Sequence, residues 1–172
     1  MRPEYTIRPA QPADLDHLVA LHQELQDHLE TSNLELWRMT AASRGQLKRQ
    51  LAARLQATNS CTLVAEHEGD RVVGIISGRI VTNSSYTPAR TGIVDQAFVR
   101  VDHRREGVGS RLVAAVCDWF ATQGVDDLSL RYVHGNTEAA GFWTALGFTP
   151  RTVTVGARRR TVESCLTQTR GA

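Results

Sequence analysis

The sequence predicts one mixed α/β domain over residues 1–172, with a central sheet of about seven strands flanked by about four helices. Three observations carry that expectation. Apolar residues recur with a spacing that switches along the chain between alternation, which suits strands, and three-to-four-residue steps, which suit helices. Glycine, proline and polar clusters mark most of the junctions between those stretches. The composition is that of a folded chain, with 41% hydrophobic residues and 20 Lys+Arg against 18 Asp+Glu. Its length is enough to bury about 70% of the unfolded surface around one core.

The elements follow in order. Tyr5 to Arg8 reads as a first strand, ended by Pro9 and Pro12; Pro12 or Asp14 then opens a helix. Leu15, Leu18, Val19, His22, Leu25 and Leu29 keep helical spacing and define a buried stripe. His22 lies on that stripe, where a partly buried, hydrogen-bonded histidine is the favoured reading. Residues 31–57 look helical, with Leu47, Leu51 and Leu55 on one face and a loop somewhere between Thr31 and Arg44. Cys61–His67 and Arg71–Val81 form a hairpin around the turn Glu68-Gly69-Asp70. Asn83–Arg90 is a polar loop, and Gly92–Val101 a further strand. Gly107–Gln123 is a helix with an apolar face through Val108, Leu112, Val116 and Phe120, stopped at Gly124. Leu128–Val133 is a strand and Thr137–Leu146 a helix closed by Gly147. Two last strands, Thr149–Val155 and Arg160–Thr167, are expected around a turn at Gly156.

Several classes of function are excluded. A net charge of +2 is too small for a protein organised around a nucleic-acid backbone. Cys61, Cys117 and Cys165 lie far apart with no CxxC pair, so neither a zinc knuckle nor a disulfide framework is expected, and no metal. Cys117 follows the apolar run Leu112 to Val116 and reads as a core thiol. The start Met1-Arg2-Pro3-Glu4 carries no apolar signal core, and no apolar run has the ~18 residues of a membrane span. The expectation is a cytoplasmic protein that binds no membrane.

The segment richest in chemistry is Val99-Arg100-Val101-Asp102-His103-Arg104-Arg105-Glu106-Gly107-Val108-Gly109-Ser110-Arg111-Leu112. A strand ends, a basic turn with two glycines follows, and a helix begins. The first N–H groups of a helix lack partners and carry the positive end of its dipole. Gly107 and Gly109 have no Cβ, so an anion can approach the backbone, and Arg104, Arg105 and Arg111 add positive charge. A dinucleotide fingerprint would need glycine where Leu112 stands, and a Walker loop would need Gly-Lys-Ser/Thr. Taken alone, the two glycines fit a phosphate site and a simple turn-and-cap device equally well.

The pattern Arg104-x-x-Gly107-x-Gly109 after a strand resembles the pyrophosphate loop of the GNAT superfamily of acyl-CoA-dependent N-acyltransferases. The resemblance extends over most of the chain: Ile7-Arg8-Pro9-Ala10 with Asp14-Leu15 is similar to the family's first strand and helix. Glu66–Gly78 is similar to its central hairpin, and Asn136-x-x-Ala139-x-x-Phe142-Trp143-x-x-Leu146-Gly147-Phe148 to its second cofactor motif. It implies a sheet whose middle strands splay, with the pantetheine arm of acetyl-CoA, a cosubstrate, lying along the backbone of Ala97, Phe98 and Val99. It places the pyrophosphate on the N–H groups of Arg105, Glu106, Gly107, Val108, Gly109 and Ser110. Asn136 and Trp143 join the cofactor-binding set, although Asn136 equally suits a helix N-cap.

The resemblance also implies acetyl transfer to the primary amine of a small molecule, with a peptide or protein amine second. Arg131 stands where the branch that acetylates protein N-termini usually carries a glutamate. Asp95 occupies the place of a glutamate that many members carry and is the expected base, acting through water. Its other reading is a carboxylate that binds the substrate ammonium or pairs with an arginine. The family often protonates the departing thiolate with a tyrosine where this chain has Trp143, whose indole N–H is no useful acid. Either Tyr86, Tyr132 or His134 serves instead, with Tyr132 and His134 on one face of a strand, or the thiolate leaves unassisted or through water. His103 beside the loop suits anion binding. Trp37 and Met39, with Glu30 and Glu35, border the acceptor region, although such charges also suit a solvated helix face. Arg158 to Arg160 read as exposed turn charge. A homodimer is common in the family. Two other classes stay open: a non-catalytic acyl-CoA-binding module, which Trp143 favours, and a nucleotide-phosphate binder using the same glycines.

Overall fold

Residues 5–32, 38–68 and 71–169 are described by a computed structural model. Strand β1 (Tyr5–Pro9) leads through a single 3-10 turn at Pro12–Asp14 into helix α1 (Leu15–Ser32). Asp14 fixes that entry. Its Oδ2 accepts from the Gln11 N–H at 2.7 Å, and its carboxylate takes two bonds from the Arg8 guanidinium, at 2.7 and 2.9 Å. Arg8 in turn reaches Glu66 on the neighbouring strand at 2.7 Å. The Arg8 guanidinium holds the Asp14 carboxyl below its usual range despite burial. Helix α2 spans Ala41–Gln56, with Thr40 as N-cap accepting from the Ser43 N–H at 3.2 Å. Trp37, Glu35 and the turn residues Gly69 and Asp70 lie outside the described residues.

Strands β2 (Ser60–His67), β3 (Val72–Thr82) and β4 (Arg90–Val99) follow. After helix α3 (Val108–Thr122), strand β5 (Leu128–Leu130) completes a sheet of order β1-β2-β3-β4-β5. The first four strands run antiparallel to their neighbours, and β5 lies parallel to β4. Side-chain alternation assigns the two faces. One takes Val64, Ile75 and Phe98 against Leu18 and Leu21 of α1 and Leu47 and Leu51 of α2. The other presents Gly74, Gly78 and Gly92 to α3, whose Leu112, Val116 and Phe120 lie against them. A crossover from β4 through α3 to β5 fills the connection that parallel neighbours need.

The chain packs as two compact units, Met1–Thr137 and Glu138–Ala172. The second holds helix α4 (Thr137–Ala145), whose chain turns at Gly147 with φ 89°, and helix α5 (Arg159–Thr169).

Three expectations are corrected here. Among the described residues the sheet has five strands rather than about seven, because the final hairpin does not form there. Residues 149–158 have no regular structure, and their side chains are exposed. The alternating Thr152-Val153-Thr154-Val155 has strand character but no ladder to join. Arg159–Thr169 is helical instead: Arg159 pairs with Glu163 one turn on, and Val162 and Leu166 keep i, i+4 spacing. Among the described residues the helices therefore number five rather than about four. The strand expected over Leu128–Val133 stops at Leu130, so Tyr132 and His134 do not share a strand face. Its partner explains the early end. Leu130 pairs with Val94, and the next residue of β4, Asp95, is extruded as a bulge.

Candidate active site

The bulge divides β4 into two halves. Ser77 of β3 pairs with Gln96 and Gly78 with Val94, which leaves Asp95 without a register partner. Before it, Gly92, Ile93 and Val94 are bonded on both edges, to β3 and to β5. After it, Gln96 to Val99 keep β3 and have no partner in β5. The Arg100 N–H bonds to the Val73 carbonyl at 2.9 Å. Alternation then turns the polar backbone groups of Phe98 toward β3 and those of Ala97 and Val99 toward the open edge. Of the three residues expected to line the cofactor arm, Ala97 turns its N–H and carbonyl to that edge and Val99 its N–H, the Val99 carbonyl being taken by Arg104. Phe98 puts its side chain into the core under α1.

Beyond Val99 the chain makes a 3-10 turn at Val101–His103 and reaches the glycines. Arg105 and Gly107 both adopt left-handed backbone, φ 65° and 77°. Gly107 is the N-cap of α3 and provides no side-chain cap, so the first N–H groups of that helix face outward without one. A Cβ added to Gly107 would meet nothing within 4 Å. Left-handed residues preceding an uncapped helix make a concave run of donors suited to a phosphate. Val108 faces the other way and is buried. The backbone from Arg105 to Ser110 therefore fits the diphosphate that the sequence pattern implies.

The three arginines do not act alike. The Arg104 Nε donates to the Val99 carbonyl at 2.9 Å, and its guanidinium lies 5.6 Å from the Phe98 ring centre. The Arg111 guanidinium donates to the Tyr5 carbonyl at 2.5 Å, tying α3 to β1. Arg105 is exposed at the turn. His103, expected to assist an anion, instead takes part in an aromatic cluster. Its Nδ1 lies 3.1 Å from the Tyr5 hydroxyl, and its ring centre 5.2 Å from that of His67. Burial, then the Glu106 carboxylate, raises the Tyr5 phenol above its usual value.

The other expected residues are distributed unevenly. Asn136 immediately precedes α4. Trp143 is buried within the second unit, edge-on to Phe142 and Phe148 at 5.0 and 5.3 Å. Tyr132 lies two residues beyond β5 and is 41% exposed. Tyr86 sits in the loop joining β3 to β4, 71% exposed, at the end of β4 remote from the glycine turn. Glu30 is occupied locally by the Gln26 side chain at 2.9 Å and the Met39 N–H at 3.1 Å, contacts that lower its carboxyl. Arg159 and Arg160 belong to α5 rather than to a turn. Burial raises the Cys117 thiol and pushes Cys61 up to about 11, which keeps both protonated.

Asp95 adopts the ion-pair role. Its Oδ1 accepts from the Arg79 Nε at 3.0 Å. Behind it lies a group that sequence reasoning missed. Gln96 is 9% exposed, its Oε1 is 2.9 Å from the His22 Nδ1, and its register partner Ser77 is 1% exposed. The signal available was a polar Gln96 and Ser77 at inward positions of apolar strands, but the partner of Gln96 on α1, His22, is 74 residues away. Burial is the main cause that lowers the His22 imidazole, opposed by the Gln96 bond and reinforced by Arg54.

A half-paired strand running into an uncapped glycine turn is the arrangement that the sequence resemblance implies. A profile of the Acetyltransferase (GNAT) family matches residues 22–148, and the chain belongs to that family. It is 32% identical over 98 residues to the uncharacterized N-acetyltransferase YhfO of Bacillus subtilis (strain 168); the match covers 57% of this chain and 64% of YhfO. Its fold is similar to that of the F44R mutant of the BH1408 protein of Bacillus halodurans. The TM-score there is 0.80, with 18% identity over 89% of this chain and 98% of that one. It is also similar to the aminoglycoside N-acetyltransferase AAC(6')-Iy in complex with CoA, with a TM-score of 0.70 and 20% identity over 92% and 96%. Among the described residues, no helix is long and apolar enough to cross a membrane.

Proposed function

We propose that the protein is an acetyl-CoA-dependent N-acetyltransferase that acts on the primary amine of a small molecule. One observation carries this: β4 loses its parallel partner at Asp95 and then delivers Ala97 and Val99 to an open edge, directly before the donor-rich turn at Arg105–Gly107. A fold neighbour bound to CoA supports it. Acetyl-CoA supplies an activated acyl group, so no residue of the chain has to form a covalent intermediate.

The chain's residues bind and orient. The turn backbone and the Arg105 charge hold the diphosphate. The Ala97 and Val99 main chain aligns the arm, and the Val99 N–H points to where negative charge develops on the acyl oxygen. Asp95, with Oδ1 fixed by Arg79, uses Oδ2 to hold the incoming amine in place. Tyr132, on the chain leaving β5, donates the proton that the thiolate takes. The test is steady-state thiol release from acetyl-CoA with a panel of small amines, peptides and buffer alone. The expected result is turnover with small amines that exceeds turnover with peptides. Tight acetyl-CoA binding with no turnover on any acceptor would mark a non-catalytic module instead.

A further inference from the structure

We propose that His22 accepts the proton of the attacking amine at its Nε2, and that Gln96 is the positioning residue that keeps the imidazole in the form this requires. The inference rests on the acetyltransferase reading and names a residue for its proton transfer.

The geometry begins with the carboxamide. Gln96 Oε1 lies 2.9 Å from Nδ1. We assign the carboxamide oxygen to this contact; because it only accepts, Nδ1 then carries the hydrogen and the lone pair of the neutral ring sits on Nε2. Among the described residues, Nδ1 is the ring nitrogen with a partner. Gln96 is itself held at a point with one function in the fold. It follows the bulge, where β4 leaves β5 and the open edge begins.

The surroundings show that this arrangement is not mere packing. The Gln96 Nε2 and the Ser77 Oγ are buried with no hydrogen-bond partner among the described residues. Two orphaned polar groups on register partners are costly in a core. An apolar pair would fill the same space without that penalty. A glutamine here makes sense where its oxygen must face an imidazole.

Burial, ahead of any charged neighbour, disfavours the protonated form of His22. Arg54 on α2 opposes its protonation too. Asp95 on β4 is tied to Arg79 on β3, and Glu24 on α1 to Arg100 after β4. In the step itself the amine nitrogen bonds to the acyl carbon, the C–S bond breaks with its electron pair going to sulfur, and the amine proton passes to Nε2. The imidazolium keeps its Nδ1–H on Gln96 and returns the second proton to solvent.

The first test needs neither turnover nor a variant. Nitrogen-15 NMR of the protein without acetyl-CoA should show neutral His22 as the Nδ1–H form, titrating below about 6.5. The Nε2–H form would overturn the proposal. Next, His22→Asn keeps a donor for Gln96 and lacks a base, with His22→Gln as a second variant should the first not fold. Thiol release should fall about 100-fold in kcat, with the amine KM little changed and the acidic limb of the pH profile abolished. Gln96→Leu should lower kcat less and mix the two tautomers in the spectrum. A His22→Asn profile within twofold of the parent at every pH would overturn the assignment. Absence of thiol release by the parent protein would end the enzymatic reading and the proton-transfer role with it, while the tautomer result would stand as a separate fact about Gln96.

Discussion

Two sets of glycines in this protein have opposite reasons to be there. At Gly78 and Gly92 an added Cβ would lie 2.7 Å from the Phe120 ring, and at Gly92 also 2.7 Å from the Leu128 Cδ2. These positions are full, and glycine lets α3 settle onto the sheet. At Gly107 an added Cβ would meet nothing within 4 Å, and what demands glycine is the left-handed φ of 77° in the turn we propose as the anion site. The same residue type answers to packing in one place and, on the proposed function, to ligand access in the other. Substitution should therefore cost stability at the first set and binding at the second.

The strongest way to break that contrast is to remove what fills the sheet glycines. Phe120→Ala should cost about 3–5 kcal/mol in denaturant unfolding. In that background Gly92→Ala should cost much less than it does alone, since both report on one space. Equal cost in both backgrounds would detach Gly92 from the ring. Next in size, Gly107→Asp should abolish CoA binding. A ligand at 100 times its Kd stabilises by about 2.7 kcal/mol, so the thermal shift given by CoA should vanish. The unliganded protein should lose no more than about 1 kcal/mol. If the variant still melts later with CoA, the diphosphate lies elsewhere. Smaller again, Gly92→Ala should cost about 1–3 kcal/mol by overpacking and leave the CoA dissociation constant unchanged in calorimetry.

The legible and illegible parts of the structure divide on the same line between local and distant causes. Leu18, Leu47 and Leu51 announced buried helix faces because helical spacing is a local property. The run Thr62 to Ala65 announced a strand for the same reason. The glycine turn was legible because left-handed backbone and open space belong to a few adjacent residues. The last hairpin was misjudged because Thr152 to Val155 alternate like a strand while strand formation needs a partner, which local sequence does not supply. The i, i+4 pairs Val162–Leu166 and Arg159–Glu163 were the readable sign of α5. Within the site, the sequence grouped Arg104, Arg105 and Arg111 by charge. The fold separates them, because carbonyls of Val99 and Tyr5 claim two of the guanidinium groups. His22 and Gln96 met only through the tertiary fold, so no spacing rule could pair them.

The smallest effect gives the finest test of the contrast, because Arg105 sits in left-handed backbone without being glycine. A non-glycine residue there costs about 1–2 kcal/mol, and glycine in exchange loses about 0.5–1 kcal/mol more chain entropy on folding. Arg105→Gly should therefore stabilise the unliganded protein by about 0.5 kcal/mol, a rise in Tm of about 1–2 °C. Its exposed side chain contributes charge to the turn, so CoA affinity should fall several-fold at low salt and converge with the parent at high salt. Stability and binding would then move in opposite directions at one residue, which is what strain retained for an anion predicts. A variant that loses stability, or whose binding deficit does not shrink with salt, would show that Arg105 is held in place by packing rather than by its ligand.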